Sequence, residues 1–320
     1  MVKIDVTTFG ETMLRLNPPQ RERLETSTAL EMRIGGSESN TAVALTRLGR
    51  RTAWFSRLPN NPLGHRIARE LRGEGVDVSR VRWTDSGRVG TYYIEYGASP
   101  RPHRIVYDRA HSAASTMSPE DLERVLEAGA AHLHVSGITP ALSSSCAELT
   151  SQAVIAARAN GMSTSFDINF RAKLWDAAVA RQVLAPMLSS IDLVICSFDD
   201  AETVLGLSGT PEDRAASLCA VYGCGAAVLT CGADGAVGCS SGHILRVDTQ
   251  TAVELDRVGA GDAFAAGVID GFLADNLLLG LQQGAAMAAL KHTIHGDHLT
   301  ADRDEIDSVV HGKGSNAIQR

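Results

Sequence analysis

The stretch "DRVGAGDAFAAG", residues 256–267, places Gly259, Ala260 and Gly261 at what reads as the first turn of a helix, with a carboxylate, Asp262, directly behind them. Free backbone N–H groups at a helix N-terminus carry about half a positive charge and attract anions such as phosphate. A fixed carboxylate at the same place repels them, by roughly 4 kcal/mol for unit charges about 4 Å apart at an effective dielectric of about 20. Three readings address the conflict. In the first, the segment is a tight turn and Asp262 merely caps the helix. In the second it is half of a dinucleotide G-x-G-x-x-G motif, but Phe264 stands where the third glycine belongs and the motif lies late in the chain rather than in an opening βαβ unit. In the third, the turn cradles a phosphoryl group in transfer while Asp262 takes the proton of the attacking hydroxyl. General-base assistance is worth about 10²–10⁴ in rate, or about 3–5 kcal/mol, which is comparable to the repulsion; Mg²⁺ and the helix dipole screen that repulsion further.

Outward from this turn, Phe264, Val268 and Phe272 recur every four residues among alanines, which predicts a buried helix over 260–274 followed by another over 279–291. Upstream, "STSFDIN" (163–169), "IDLVICS" (191–197) and "GAAVLT" (225–230) read as buried strands separated by segments of helical length such as 143–160. The alternation predicts an α/β fold with a mostly parallel central sheet flanked by helices. Two regions break the rhythm, about 12–34 and 87–107. Residues 87–107 read as two strands around a Gly/Pro turn, and together the two regions are expected to form a small β-sheet lid. Residues 1–310 are read as a single domain and 311–320 as a disordered tail.

The 320 residues are 44% hydrophobic and carry 30 Lys+Arg against 37 Asp+Glu, a net charge of −7 that does not suggest a nucleic-acid partner. The opening "MVKIDVTTFGE" is strand-like rather than signal-like, and no apolar run approaches membrane-spanning length, so a cytoplasmic location is expected. Six cysteines show no paired ligand spacing and are read as buried free thiols, and His132 and His134 in "AAHLHVSG" are read as two residues on one strand face rather than a metal site. No Walker A pattern is present.

"DRVGAGDAFAAG" resembles the C-terminal signature of the ribokinase-like (PfkB) sugar kinases, and "GGSESNTAVALTRLG" (35–49) resembles their N-terminal signature; the resemblance covers nearly the whole chain. Within that family, "GETMLRL" (10–16), "YDRAHSAAS" (107–115), "SGITPAL" (136–142), "FDINFRAKLW" (166–175) and "ALKHTIHGDH" (289–298) are similar to 2-keto-3-deoxygluconate kinases. The resemblance implies a ribokinase-like fold, ATP and Mg²⁺, and homo-oligomers formed through the lid. It makes Asp262 the base and Gly259, Ala260 and Gly261 the anion hole. Gly35, Gly36, Asn40, Tyr93, Tyr107, Arg109, Arg171 and Asp297 become the sugar-acid site, and Asn169, Ser197, Thr230, Gly232 and Gly235 the nucleotide site. The family's N-x-x-E motif is replaced by Ser197 and Asp200 in "CSFDDAE" (196–202), leaving Asp200 as the expected Mg²⁺ residue with Glu202 beside it. Independently of the resemblance, two arginines suit a substrate carboxylate, because a guanidinium forms bidentate, charge-assisted bonds that a neutral sugar does not offer. The expectation is therefore phosphorylation of the terminal hydroxyl of 2-keto-3-deoxygluconate. A neutral-sugar kinase, for fructose or ribose, and a catalytically idle sugar-acid sensor are the alternatives.

Overall fold

A computed structural model describes residues 3–126 and 129–312. Eight strands form the main sheet, ordered His243–Val247, Ala236–Ser240, Ala226–Thr230, Leu193–Ser197, Ser163–Asp167, His132–Ser136, Val6–Phe9 and Thr52–Phe55. The last six of these run parallel, and the Ala236–Ser240 and His243–Val247 hairpin closes one edge antiparallel. The strand residues divide by their period of two. Val194, Cys196, Ala227 and Leu229 enter a core under helices Ser144–Ala159, Ala177–Leu188 and Pro211–Tyr222, while Leu193, Ile195, Ala226 and Val228 face helices Ala260–Leu273 and Leu277–His292. Both faces are covered, which is why these strands read as unbroken apolar runs.

The 12–34 and 87–107 regions contribute a separate sheet of four strands, Glu31–Gly35, Met13–Asn17, Thr91–Glu95 and Arg104–Asp108. Its register sets Arg15, Tyr92 and Tyr107 in one row, and Leu16, Met32, Tyr93 and Val106 in the next, on the opposite face. The Arg15 row turns toward the main body. Arg15 is only 1% exposed and donates to both Asp297 Oδ1 and Asp256 Oδ2 at 2.6 Å. Tyr92 OH donates to Asp297 Oδ2 at 2.5 Å, so both oxygens of that carboxylate are bound within the protein.

All six cysteines are free, and Cys219 and Cys231 are only partly buried. His132 and His134 lie on one strand between the serines of the next, His132 against Ser163 and Ser165 Oγ at 2.8 and 2.7 Å and His134 against Ser165 Oγ at 2.9 Å. Burial lowers both imidazoles to about 3, so they are neutral packing residues. Of the expected tail, residues 313–320 lie outside the described residues. No helix among the described residues is long and apolar enough to cross a membrane.

Candidate active site

The strand ends converge on the turn that opens helix Ala260–Leu273. Gly259 is its N-cap with φ +88°, a left-handed conformation, and a Cβ there would lie 2.0 Å from the Asp297 carbonyl oxygen, so only glycine fits. Gly261 differs: a Cβ there would meet nothing within 4 Å. Gly261 is the second residue of the helix, so its backbone N–H belongs to the first turn, where N–H groups have no partner within the helix.

Asp262 is the third residue of this helix, not its cap, which removes the simplest of the three readings. It is buried, and each of its oxygens accepts one bond at 2.7 Å, Oδ1 from Ser37 Oγ and Oδ2 from Asn40 Nδ2. Ser37 and Asn40 sit on helix Ser37–Arg47, whose N-cap is Gly36. Burial pushes the Asp262 carboxyl above the ordinary aspartate range, while these two donors and the nearby Arg171 charge pull the other way.

Two cavities meet at the turn. One of about 470 Å³ is lined by Thr230, Gly232, Gly235, Ala260 and Gly261, which are among the residues expected at the nucleotide. The other, of about 950 Å³, is lined by Tyr107, Arg109, Asp167, Asn169, Arg171, Gly259, Gly261 and Asp262. A small recess below it adds Gly35, Gly36, Asn40, Tyr92 and Asp297.

Several expected residues are placed differently from the expectation. Tyr93 belongs to the outward row, and Tyr92 fills the recess wall in its stead, because adjacent strand residues face opposite sides. Asn169, expected at the nucleotide, has φ +39° and donates its amide to Ser37 Oγ at 2.8 Å, on the Asp262 side. Ser197 Oγ accepts from Asp200 N–H at 3.0 Å and caps helix Phe198–Thr203, which occupies it structurally. Asp297, expected among the substrate-binding residues, is held by Arg15 and Tyr92. Glu202 is paired with Arg214 at 2.7 Å. Arg109 is paired through Nη2 with Glu11 at 2.5 Å, whereas Arg171 is exposed, makes no ion pair among the described residues and donates only to its neighbour's carbonyl.

Three acids surround Arg171. Asp167 ends one strand and Asp200 follows the next, and burial, with the charges of Asp262 and Asp200 adding to it, pushes Asp167 up to about 8. Asp200 is also raised by burial, opposed by the Phe170 N–H that it accepts at 3.2 Å. The residues missed from sequence include Ser37, Glu11, Arg15, Tyr92, Asp167 and Asp256. A signal existed for two of them: Ser37 follows the Gly-Gly pair directly, and Arg15 is a lone charge inside the apolar strand "MLRLN".

An α/β body carrying an anion turn, a buried acid beside it and a separate small sheet over the strand ends is the architecture of a carbohydrate kinase. Residues 3–302 match the model of the pfkB family of carbohydrate kinases, and the chain belongs to that family. It is 40% identical over 317 residues to 2-dehydro-3-deoxygalactonokinase of Haloferax volcanii, with 99% of each chain covered. It is 35% identical over 305 residues to 2-dehydro-3-deoxygluconokinase of Bacillus subtilis, with 92% of each covered. The crystal structure of 2-dehydro-3-deoxygluconokinase from Thermotoga maritima superposes with a TM-score of 0.90 at 34% identity, covering 97% of this chain and 99% of that one. The fold is ribokinase-like, as the two signatures implied.

Proposed function

We propose that this chain is an ATP-dependent sugar-acid kinase that phosphorylates the terminal hydroxyl of 2-keto-3-deoxygluconate, giving 2-keto-3-deoxy-6-phosphogluconate. The observation that carries the reading is that Gly261, with open space before it, walls both cavities, so one anion-binding turn serves a donor on one side and an acceptor on the other. ATP occupies the side of Thr230, Gly232 and Gly235. The sugar acid occupies the side of Asp262, its carboxylate at Arg171 and its terminal hydroxyl at Asp262. Arg109, neutralised by Glu11, shapes the pocket and leaves the free charge to Arg171.

In the reaction Asp262 orients the hydroxyl and accepts its proton, while the turn N–H groups hold the charge spread over the transferring oxygens. Ser37 and Asn40 fix the carboxylate so that no reorganisation is needed at the moment of transfer. The donor set suits Mg²⁺: Asp167 at the end of one strand and Asp200 in the short helix after the adjacent strand offer hard oxygens, in mutual repulsion that a cation would relieve. When bound with ATP, the ion would neutralise the β- and γ-phosphate charge.

The epimer 2-keto-3-deoxygalactonate is the second reading, favoured by the 40% identity to the Haloferax volcanii enzyme. Neutral sugars fit less well, since they leave Arg171 unpaired beside the acceptor. A cytoplasmic location and pairing of subunits through the small sheet, acting as a lid, belong to the same reading; exposed Met32 and Val106 on the outward row support the pairing. The test is an ADP-release assay across both epimers, fructose and ribose, where a preference for a neutral sugar overturns the sugar-acid assignment.

A further inference from the structure

We propose that Arg257 is a catalytic residue, whose guanidinium stabilises the γ-phosphoryl group as it crosses from the nucleotide cavity to the sugar cavity. Of all the residues lining the two cavities, Gly261 and Arg257 alone line both. Gly261 supplies the open space, and Arg257 supplies a positive charge at the same junction. Arg257 is exposed and makes no ion pair among the described residues. Neither neighbouring acid pairs with it among the described residues. Asp256 is held by Arg15 and by the Val258 and Gly296 N–H groups, and Glu254 lies 3.7 and 3.8 Å from His103 and His292. The backbone of Arg257 is fixed to the anion turn, because Ala260 N–H donates to its carbonyl at 3.2 Å. The residue is therefore tied to the turn through its backbone, and its guanidinium has no ion-pair partner among the described residues.

The inference rests on the phosphoryl-transfer reading and deepens it. In the step, the bond from the γ-phosphorus to the bridging oxygen of ADP breaks, and the electron pair stays with ADP. A bond forms from the terminal hydroxyl oxygen to the same phosphorus, and that hydroxyl's proton passes to Asp262. Charge on the three non-bridging oxygens and on the leaving oxygen has to be met throughout. Backbone N–H groups provide directional bonds, and a planar guanidinium provides a full charge that bridges two oxygens at once.

The experiment compares wild type, Arg257→Ala and Arg257→Lys on the acceptor that the wild type phosphorylates fastest. It adds the affinity of each for ADP alone and for ADP with aluminium fluoride, which mimics the group in transfer, and the thermal unfolding midpoint. Arg257→Ala is expected to lower kcat by about 10³-fold, the low end for a charge-stabilising arginine in phosphoryl transfer. Affinity for the ADP and aluminium fluoride pair should fall in parallel, while affinity for ADP alone and the unfolding midpoint hold, and Lys should restore part of kcat. A raised KM for ATP at unchanged kcat, an equal loss of affinity for ADP alone, or no change in either kcat or aluminium fluoride affinity overturns the proposal. A wild type that prefers a neutral sugar corrects the substrate and leaves the Arg257 comparison intact on that sugar. A wild type with no acceptor at all defeats the kinase reading, and the two affinities still decide whether Arg257 favours the transferring group.

Discussion

The two sides of the anion turn are built by opposite means. The cavity on one side is walled mainly by small residues, Thr230, Gly232, Gly235, Ala236 and Ala260 among them, with Glu254, Arg257 and His292 as its charged or titratable members. On the other side the wall carries charges already engaged with protein partners: Arg109 with Glu11, Asp262 with Ser37 and Asn40, and Asp297 with Arg15 behind it, which also holds Asp256. Under the proposed function, the difference follows from what each side must discriminate. A triphosphate is recognised by any array of N–H groups at a helix end, whereas a sugar acid differs from a neutral sugar by one carboxylate and from its epimer by one hydroxyl. Fixed polar groups are what reject a near-identical molecule, and holding them fixed takes a buried ionic framework.

The sharpest way to break the contrast is at Asp262. Asp262→Asn keeps the side chain's shape but takes no proton, so kcat should fall by about 10²–10⁴-fold, with ATP and sugar-acid affinity, measured by calorimetry, largely kept. Retention of more than about a tenth of kcat would reduce Asp262 to a structural acid.

The framework itself is tested at Arg15. Arg15→Met strands two buried carboxylates, a loss of about 3–5 kcal/mol in denaturant unfolding. The corresponding change on the nucleotide side, Thr230→Ala, removes no charge and should move stability far less.

The pH dependence of stability has a definite sign. His132 and His134 are neutral in the folded chain down to about 3 but protonate near 6.5 once unfolded. The unfolded state therefore binds more protons across that window, and stability should drop as pH falls from about 6.5, by up to about 1.4 kcal/mol per pH unit for each group. Unfolding curves at a series of pH values check this, and His134→Gln should shallow the slope.

Within the sugar side, Arg171 and Arg109 should part company. Arg171→Ala should lower kcat/KM for the sugar acid by roughly 10- to 100-fold with little effect on fructose, since a charge-assisted bond contributes about 1.5–3 kcal/mol. Arg109→Ala should affect both substrates alike, because its main loss is the partner of buried Glu11. The smallest effect is expected at Asp200, where Asp200→Ala should raise the Mg²⁺ concentration needed for half-maximal rate, the triphosphate supplying most ligands itself.

Much of the molecule was legible in the chain. The buried strands at 163–167, 193–197 and 226–230 and the helix after Gly259 all lie within the predicted spans, because fully covered parallel strands and a buried helix leave continuous apolar runs. The small sheet announced itself as a break in that rhythm. What the chain did not disclose was partnership. Arg109 carries the same signal whether it awaits a substrate or already holds Glu11, 98 residues away. Asn169 was assigned to the nucleotide from its motif, yet its amide lies on Ser37, 132 residues distant.

The sequence by itself determined the fold class, the glycine turn that opens the helix and the acid beside it, since each is written in local pattern: an apolar period, a glycine where φ must be positive, a carboxylate three residues into a helix. Only the tertiary structure decided which charges remain free. Arg15, Arg109 and Asp297 are consumed by partners brought from up to 282 residues away, and Arg171 and Arg257 are left facing the cavities. The physical reason is that a charge's function depends on its neighbours within a few ångströms, and at that range chain separation carries no information.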